Sequence, residues 1–344
     1  MKLTIISFFI LLIFMSCKKE KQLDSFEEFF NSTDIKELVG NEVILKSDTL
    51  FFSSMYEMLN AENLLIISDP DPEYNLKIVN LITGQARGFC KRGRGPYEMK
   101  APISTFSLDS KNRLLYVTDN FNYYSFSLDS LKRKVDAPLS YIEIKNNGGN
   151  FLHSTYAYGG YVVGGSFENK ISTMNIENYK IEQKYNYHNG PLVEQAFFYN
   201  HPNKNKCVYF QSKSAIMGLV EYDKGEVDLN EKSWWSTEEK EVVSEKIRKT
   251  EPSKNPKNGF ITSAVSSKYI YTLYSGKILK GKNSEAFMDY FTSNMVYVFD
   301  WKGNPIKKYK LDREVSSIAI DDKDEILYAG SLDSKDSNII KYAL

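Results

Sequence analysis

Apolar and polar positions along this chain come in short alternating bursts, each closed by a polar turn, and few of them recur at helical spacing. Short bursts of this kind, rich in Val, Ile, Tyr and Phe and punctuated by Gly, Asn, Asp and Pro, read as antiparallel strands. Residues 51–58, 64–68, 76–81 and 85–90 predict a first four-stranded meander, with a hairpin at Thr83 and Gly84. The plan repeats at 105–108, 114–118, 123–128 and 133–137, and again at 152–156, 161–166, 171–175 and 180–185. A fourth unit covers 196–199, 207–211, 215–222 and 226–229, and a fifth covers 260–266, 269–274, 295–301 and 305–311.

The last unit has only three strands, at 315–320, 326–329 and 339–344, while an orphan strand waits at 42–46. Pairing the two ends closes a ring and removes the open sheet edges that invite aggregation. The predicted fold class is therefore all-β: a six-bladed propeller of four-stranded antiparallel blades, closed by an N-terminal outer strand. One segment breaks the pattern. Ser236 and Glu239 have capping-box spacing, Val242, Val243 and Ile247 give a weak apolar face, and Pro252 stops it, so a helical insertion is expected at 236–250.

The first sixteen residues are a different object. Lys2 precedes an apolar run of thirteen residues, 3–15, which as a helix reaches only about 20 Å against a bilayer core of roughly 30 Å. A cleaved signal peptide is expected at 1–16 rather than an anchor helix. Phe14, Met15, Ser16 and Cys17 resemble a bacterial lipobox, which implies a lipidated Cys17, a polar tether at 17–41, and a propeller from 42 to 344. The address expected from this is the bacterial cell envelope, lipid-anchored and extracytoplasmic, with membrane lipid as one partner through Cys17.

A second resemblance lies between residues 88 and 119. Gly88, Gly93, Gly95, Pro96, Glu98 and Met99, then Pro102, then Leu114 to Asp119 (LLYVTD), are similar to a motif of TolB-like and NHL-like six-bladed propellers. With the lipobox, the chain resembles the lipoprotein members of that group from Bacteroidetes, the BF3314-like propellers. The resemblance implies a fold and an address. It implies no activity.

Composition narrows the function classes. Lys plus Arg and Asp plus Glu stand at 44 each, so no net charge favours nucleic acid, and the export signal disfavours it further. Cys90 and Cys207 are isolated, without CxxC spacing, and read as buried free thiols; no metal cluster is expected from them. His153, His188 and His201 match no metal motif, and read as surface or turn residues. The Gly-rich string is followed by Pro102 and a strand instead of a helix, which excludes a nucleotide cradle, so no cofactor is expected.

Three groups of candidate site residues remain. Arg92 and Arg94, with Lys91 and Lys100, concentrate positive charge in the loop, where an anion or acidic glycan could meet them. Asp69, Asp71 and Asp119 are candidate rim carboxylates at the ends of second strands, and Glu73 adds to them. Trp234 and Trp235 are adjacent, so one faces outward if they lie in a strand, and they are the candidate binding surface. The expected function is a binding or scaffold module for a protein or glycan partner. The alternative is a lyase or glycoside hydrolase centred on the channel, which would need clustered carboxylates or histidines there.

Overall fold

A computed structural model describes residues 35–46, 51–95, 97–99, 105–119, 122–143, 151–157, 160–166, 170–175, 181–186, 196–211, 216–223, 226–233, 241–244, 247–250, 258–278, 289–333 and 336–344. The predicted signal peptide and most of the tether, including Cys17, lie outside these residues.

Two short N-terminal strands come first, β1 (Ile35–Leu38) and β2 (Asn41–Glu42). Blade 1 is β3 (Glu57–Ala61), β4 (Leu64–Ser68), β5 (Tyr74–Asn80) and β6 (Ala86–Lys91). Blade 2 is β7 (Thr105–Asp109), β8 (Leu114–Thr118), β9 (Asn122–Ser127) and β10 (Ser140–Glu143), with one helical turn, α1 (Leu128–Lys132), before its last strand. Blade 3 is β11 (Phe151–Ala157), β12 (Tyr161–Ser166), β13 (Lys170–Asn175) and β14 (Ile181–Asn186). Blade 4 is β15 (Ala196–Asn200), β16 (Lys206–Gln211), β17 (Ile216–Asp223) and β18 (Glu226–Ser233).

A separate two-stranded hairpin follows, β19 (Glu241–Ser244) with β20 (Ile247–Thr250). Blade 5 is β21 (Phe260–Val265), β22 (Tyr269–Tyr274), β23 (Ser293–Asp300) and β24 (Pro305–Val315). Blade 6 is β25 (Ser317–Ile320), β26 (Ile326–Asp333) and β27 (Asp336–Ala343). The first strands of successive blades are neighbours all the way round, and β25 returns to β3. Six blades therefore close a ring around a central channel, as the strand count predicts.

Closure uses more of the N-terminus than expected. β2 pairs antiparallel with β27, Asn41 opposite Lys341, and supplies the fourth strand of blade 6. β1 pairs parallel with β24 and adds a fifth strand to blade 5. The Lys46 amide then donates to the Gly84 carbonyl in the outer hairpin of blade 1. Residues 35–46 thus form a strap over the outer rim of three consecutive blades. Leu38 pins it, buried in a cluster with Leu311, Ile340 and Tyr342.

The core lies between blades, and this explains the apolar runs. In β4, Leu64 and Ile66 pack toward Phe106, Leu115 and Val117 of blade 2. Leu65 and Ile67 pack the other way, toward Ala319, Tyr328 and Ile339 of blade 6. An apolar tetrapeptide is therefore two alternating stripes feeding two interfaces. The same division holds in β16, where Cys207 and Tyr209 face blade 3 while Val208 and Phe210 face blade 5.

Three local expectations are corrected. The helix expected at 236–250 is replaced by the β19–β20 hairpin, whose members Val242, Val243, Ile247 and Thr250 are β-branched and suit a strand better than a helix. The last strand of blade 2 lies at Ser140–Glu143 instead of 133–137. Ser127 caps α1 by accepting from the Ser130 amide, and Lys134 has φ +63°, so the chain turns before it can pair. The first strand of blade 1 starts at Glu57, not at 51, because Asp69 holds the amides of Ser53 and Ser54 and Met55 has φ +36°.

Candidate functional site

The central channel holds a cavity of about 180 Å³, open to solvent and lined from β3, β7, β15, β21 and β25 together with the turns that follow them. Inner strands alternate their side chains, so blades 1, 2, 4, 5 and 6 each send part of their sequence into this space. Blade 1 contributes Glu57 and Asn60 from opposite ends of β3, and blade 4 contributes Tyr199 and Asn200. Phe106 and Phe198 add apolar surface, and Asp322 stands on the turn after β25.

Burial with no cation beside it raises the Glu57 carboxyl to about 8, so at neutral pH this side chain is mostly an uncharged acid that can both donate and accept. Asn60 is 5% exposed, and neither its amide nitrogen nor its oxygen has a hydrogen-bond partner. A buried, unpaired carboxamide costs about 1–3 kcal/mol, and Asn75 in β5 is buried and unpaired in the same way. Burial, followed by the nearby Glu57, pushes the Tyr199 hydroxyl up, and its oxygen accepts from the Ser263 amide at 3.1 Å. Asp322 is raised by burial and then by the carboxylates of Asp321 and Asp324 on its own turn and of Glu62 on the β3–β4 turn of blade 1. No Lys or Arg lines the cavity among the described residues.

The residues singled out by sequence are placed elsewhere. Asp69 is buried, accepts from the backbone of 53–55, and pairs with the equally buried Lys77 at 2.7 Å. Asp71 closes a turn by accepting from the Glu73 and Tyr74 amides. Asp119 does the same for Asn122, and receives the Tyr124 hydroxyl at 3.3 Å. Each is held by turn and core hydrogen bonds, and none borders the cavity.

The Gly-rich loop folds back on itself. Arg92 bridges to Met99, the Gly95 amide donates to Glu98 Oε2 at 2.7 Å, and a Cβ on Gly93 (φ +156°) would sit 2.0 Å from that oxygen. Arg92 donates to the Asp71 carbonyl, while Arg94 is exposed. Trp234, Trp235, Lys100 and His188 lie outside the described residues, as does the side chain of His153.

His201, expected at the surface or in a turn, follows β15 in a turn but is 1% exposed. Its Nδ1 accepts from the Asn203 amide, its ring packs on Trp301 at 4.7 Å, and burial, then Lys204, lowers its pKa to about 4. Cys90 and Cys207 are buried free thiols, both raised by burial. Among the described residues no group of three or more His, Cys, Asp or Glu could hold a metal ion. Sequence reasoning missed Glu57 and Asn60. Their signal was a charged residue and an amide close together in the first strand, hidden because the strand was expected at 51–58, which leaves residue 60 outside it.

Comparison with known proteins agrees with this architecture. Solved structures similar to the chain include that of U3-55K, at 9% identity and TM-score 0.51 over 87% of this chain and 97% of that one. The RRP9 WD40 repeats align at 8% identity and TM-score 0.52, over 89% and 99%. The Cps50 (Swd1) β-propeller domain of Myceliophteria thermophila aligns at 11% identity and TM-score 0.51, also over 89% and 99%. At such identities the likeness is one of fold. No curated protein matches the sequence. The family model described as TolB-like 6-blade propeller-like matches residues 33–323, and the chain belongs to that family.

Proposed function

We propose that this protein is an extracytoplasmic binding module, lipid-anchored through Cys17, that takes a protein or glycan partner at the mouth of its central channel. The observation that carries the reading is the open cavity of about 180 Å³ on the channel, built by five blades, whose carboxyls Glu57 and Asp322 are both raised toward the uncharged acid. Such a lining offers hydrogen bonds in fixed directions from a rigid frame, which is what selective binding needs. The propeller itself supplies rigidity, since its inner strands are held by cores on both sides.

The apolar run before Cys17 supports the anchor. Metabolic labelling with a palmitate analogue tests it: label is expected on the wild type and absent from Cys17→Ala. For the mouth, affinity capture from envelope extracts compares wild type with Asn203→Trp, which places a bulky ring at the cavity edge. Loss of the captured partner is expected; unchanged capture overturns the channel as the site. The second reading, a channel enzyme, draws on one specific observation, the Glu57 carboxyl near 8, which is the state a general acid requires. Turnover of a polysaccharide that disappears in Glu57→Gln would establish it.

A further inference from the structure

We propose that the outer groove between blades 1 and 2 is a binding site for a phosphate-bearing ligand, held by Lys46, Arg87, Lys132 and Lys134. The groove shares no lining residue with the channel cavity, so the proposal does not depend on what the channel takes. It has a volume of about 270 Å³ and opens to solvent. Three pieces of chain build it: the end of the strap at Lys46, the β5–β6 hairpin of blade 1 with Arg87, and α1 of blade 2 with the turn after it. Buried Leu64 and Leu131 back the groove with apolar surface, which strengthens any charge interaction made against it.

The charged lining has one sign. Four cations border the groove and, among the described residues, no Asp or Glu does. Two of the cations are held in place. Arg87 pairs with Asp136 at 2.7 Å and donates to the Leu131 carbonyl, while Lys132 pairs with Glu62, an acid it shares with Arg113. Those acids orient the two side chains from outside the lining. Lys46 and Lys134 form no ion pair with a described residue, and both are exposed. Like charges gathered in one groove repel, and an anion among them turns that repulsion into attraction.

The backbone at Lys134 points the same way. This residue follows the C-cap of α1 with φ +63°, in the left-handed region where helix ends ordinarily place glycine. A lysine there carries strain that a glycine would not, and what the position obtains in return is a cation at the groove. A phosphate group carries a charge of about −1.5 to −2 at neutral pH and three acceptor oxygens, the match for one guanidinium and several ammonium groups. The volume lies below the roughly 300–1,000 Å³ of pockets for drug-sized molecules, which suits a phosphate on a small alcohol or sugar. A lipid headgroup and a soluble phosphate ester share this chemistry.

Isothermal titration calorimetry of the whole mature chain from residue 17, carrying Cys17→Ala so that no acyl chain contributes, tests the site with glycerol 3-phosphate and with succinate as a carboxylate dianion. Glycerol 3-phosphate is expected to bind at least about tenfold more tightly than succinate, and more weakly as salt is raised. Lys134→Gly removes the cation and relieves the backbone, so it is expected to weaken binding about tenfold while raising the melting temperature. A purely structural role for Lys134 would not move the two in those directions. Lys46→Ala, at an exposed position, is expected to weaken binding to a similar extent with the melting temperature unchanged.

Sedimentation with phosphatidylcholine vesicles, with and without phosphatidic acid, identifies the source of the phosphate. Recruitment by phosphatidic acid that Lys134→Gly abolishes, alongside glycerol 3-phosphate binding, supports the site and assigns a lipid headgroup to it. Glycerol 3-phosphate binding without recruitment supports the site and assigns a soluble ester. Failure of glycerol 3-phosphate to bind, equal binding of succinate, or binding that survives both lysine substitutions overturns the proposal.

Discussion

Two ionisable residues, half-buried Glu57 and buried His201, give the protein opposite pH responses. Glu57 has its folded pKa raised from 4.5 to about 8, so the folded state holds a proton the unfolded chain releases, and stability falls as pH rises between those values. His201 is lowered from 6.5 to about 4, so the unfolded chain takes the proton first, and stability is lost as pH falls through that range. Between about pH 4.5 and 6.5 the two slopes cancel; from 6.5 to 8 only the Glu57 decline remains. Each slope is at most about 1.4 kcal/mol per pH unit. Chemical denaturation across pH checks this: Glu57→Gln should abolish the decline above 6.5, and His201→Asn should extend it down to 4.5. A parallel pH profile in wild type and both variants would show that neither group is buried as described.

At the level of elements, the interblade interface decides what a strand tolerates. Gly218 in β17 lies opposite Tyr209 in β16, and a Cβ there would come within 2.0 Å of the tyrosine ring, which covers the glycine. Gly218→Ala should cost about 1–3 kcal/mol, the range for overpacking a filled core, and leave the denaturation slope unchanged.

The same interface explains what was legible in the sequence. Blades 4, 5 and 6 could be read nearly strand by strand, because their apolar stripes are continuous and their turns carry Asp, Asn or Gly. The start of blade 1 and the end of blade 2 could not. In those places a distant side chain, Asp69, or a capped helical turn at Ser127 overrides the local alternation. The hairpin at 241–250 was hidden for a related reason, since a capping pair and a glutamate-rich stretch imitate a helix start. The channel lining was unreadable because its members come from five strands far apart in sequence, and only ring closure brings Glu57, Tyr199 and Asp322 around one space.

For the whole molecule, the strap at 35–46 is the element on which closure depends. Leu38→Ala removes its buried pin and should destabilise the protein by about 2–5 kcal/mol, with early exposure of the β24 and β27 edges on heating. Light scattering during a thermal melt is expected to rise at lower temperature than in wild type; coincident aggregation curves would mean that the strap is ornamental. The sequence separation across this seam has a consequence in time. Lys310 reaches Glu37 across 273 residues of chain, so the strap, made before any blade, finds its partners only when the other blades have been made. Early blades can assemble as they emerge, but the circle stays unlocked until its last strand arrives. A chain cut short near its end would therefore carry an unpaired beginning, and a quality-control protease could tell finished molecules from unfinished ones by that end alone.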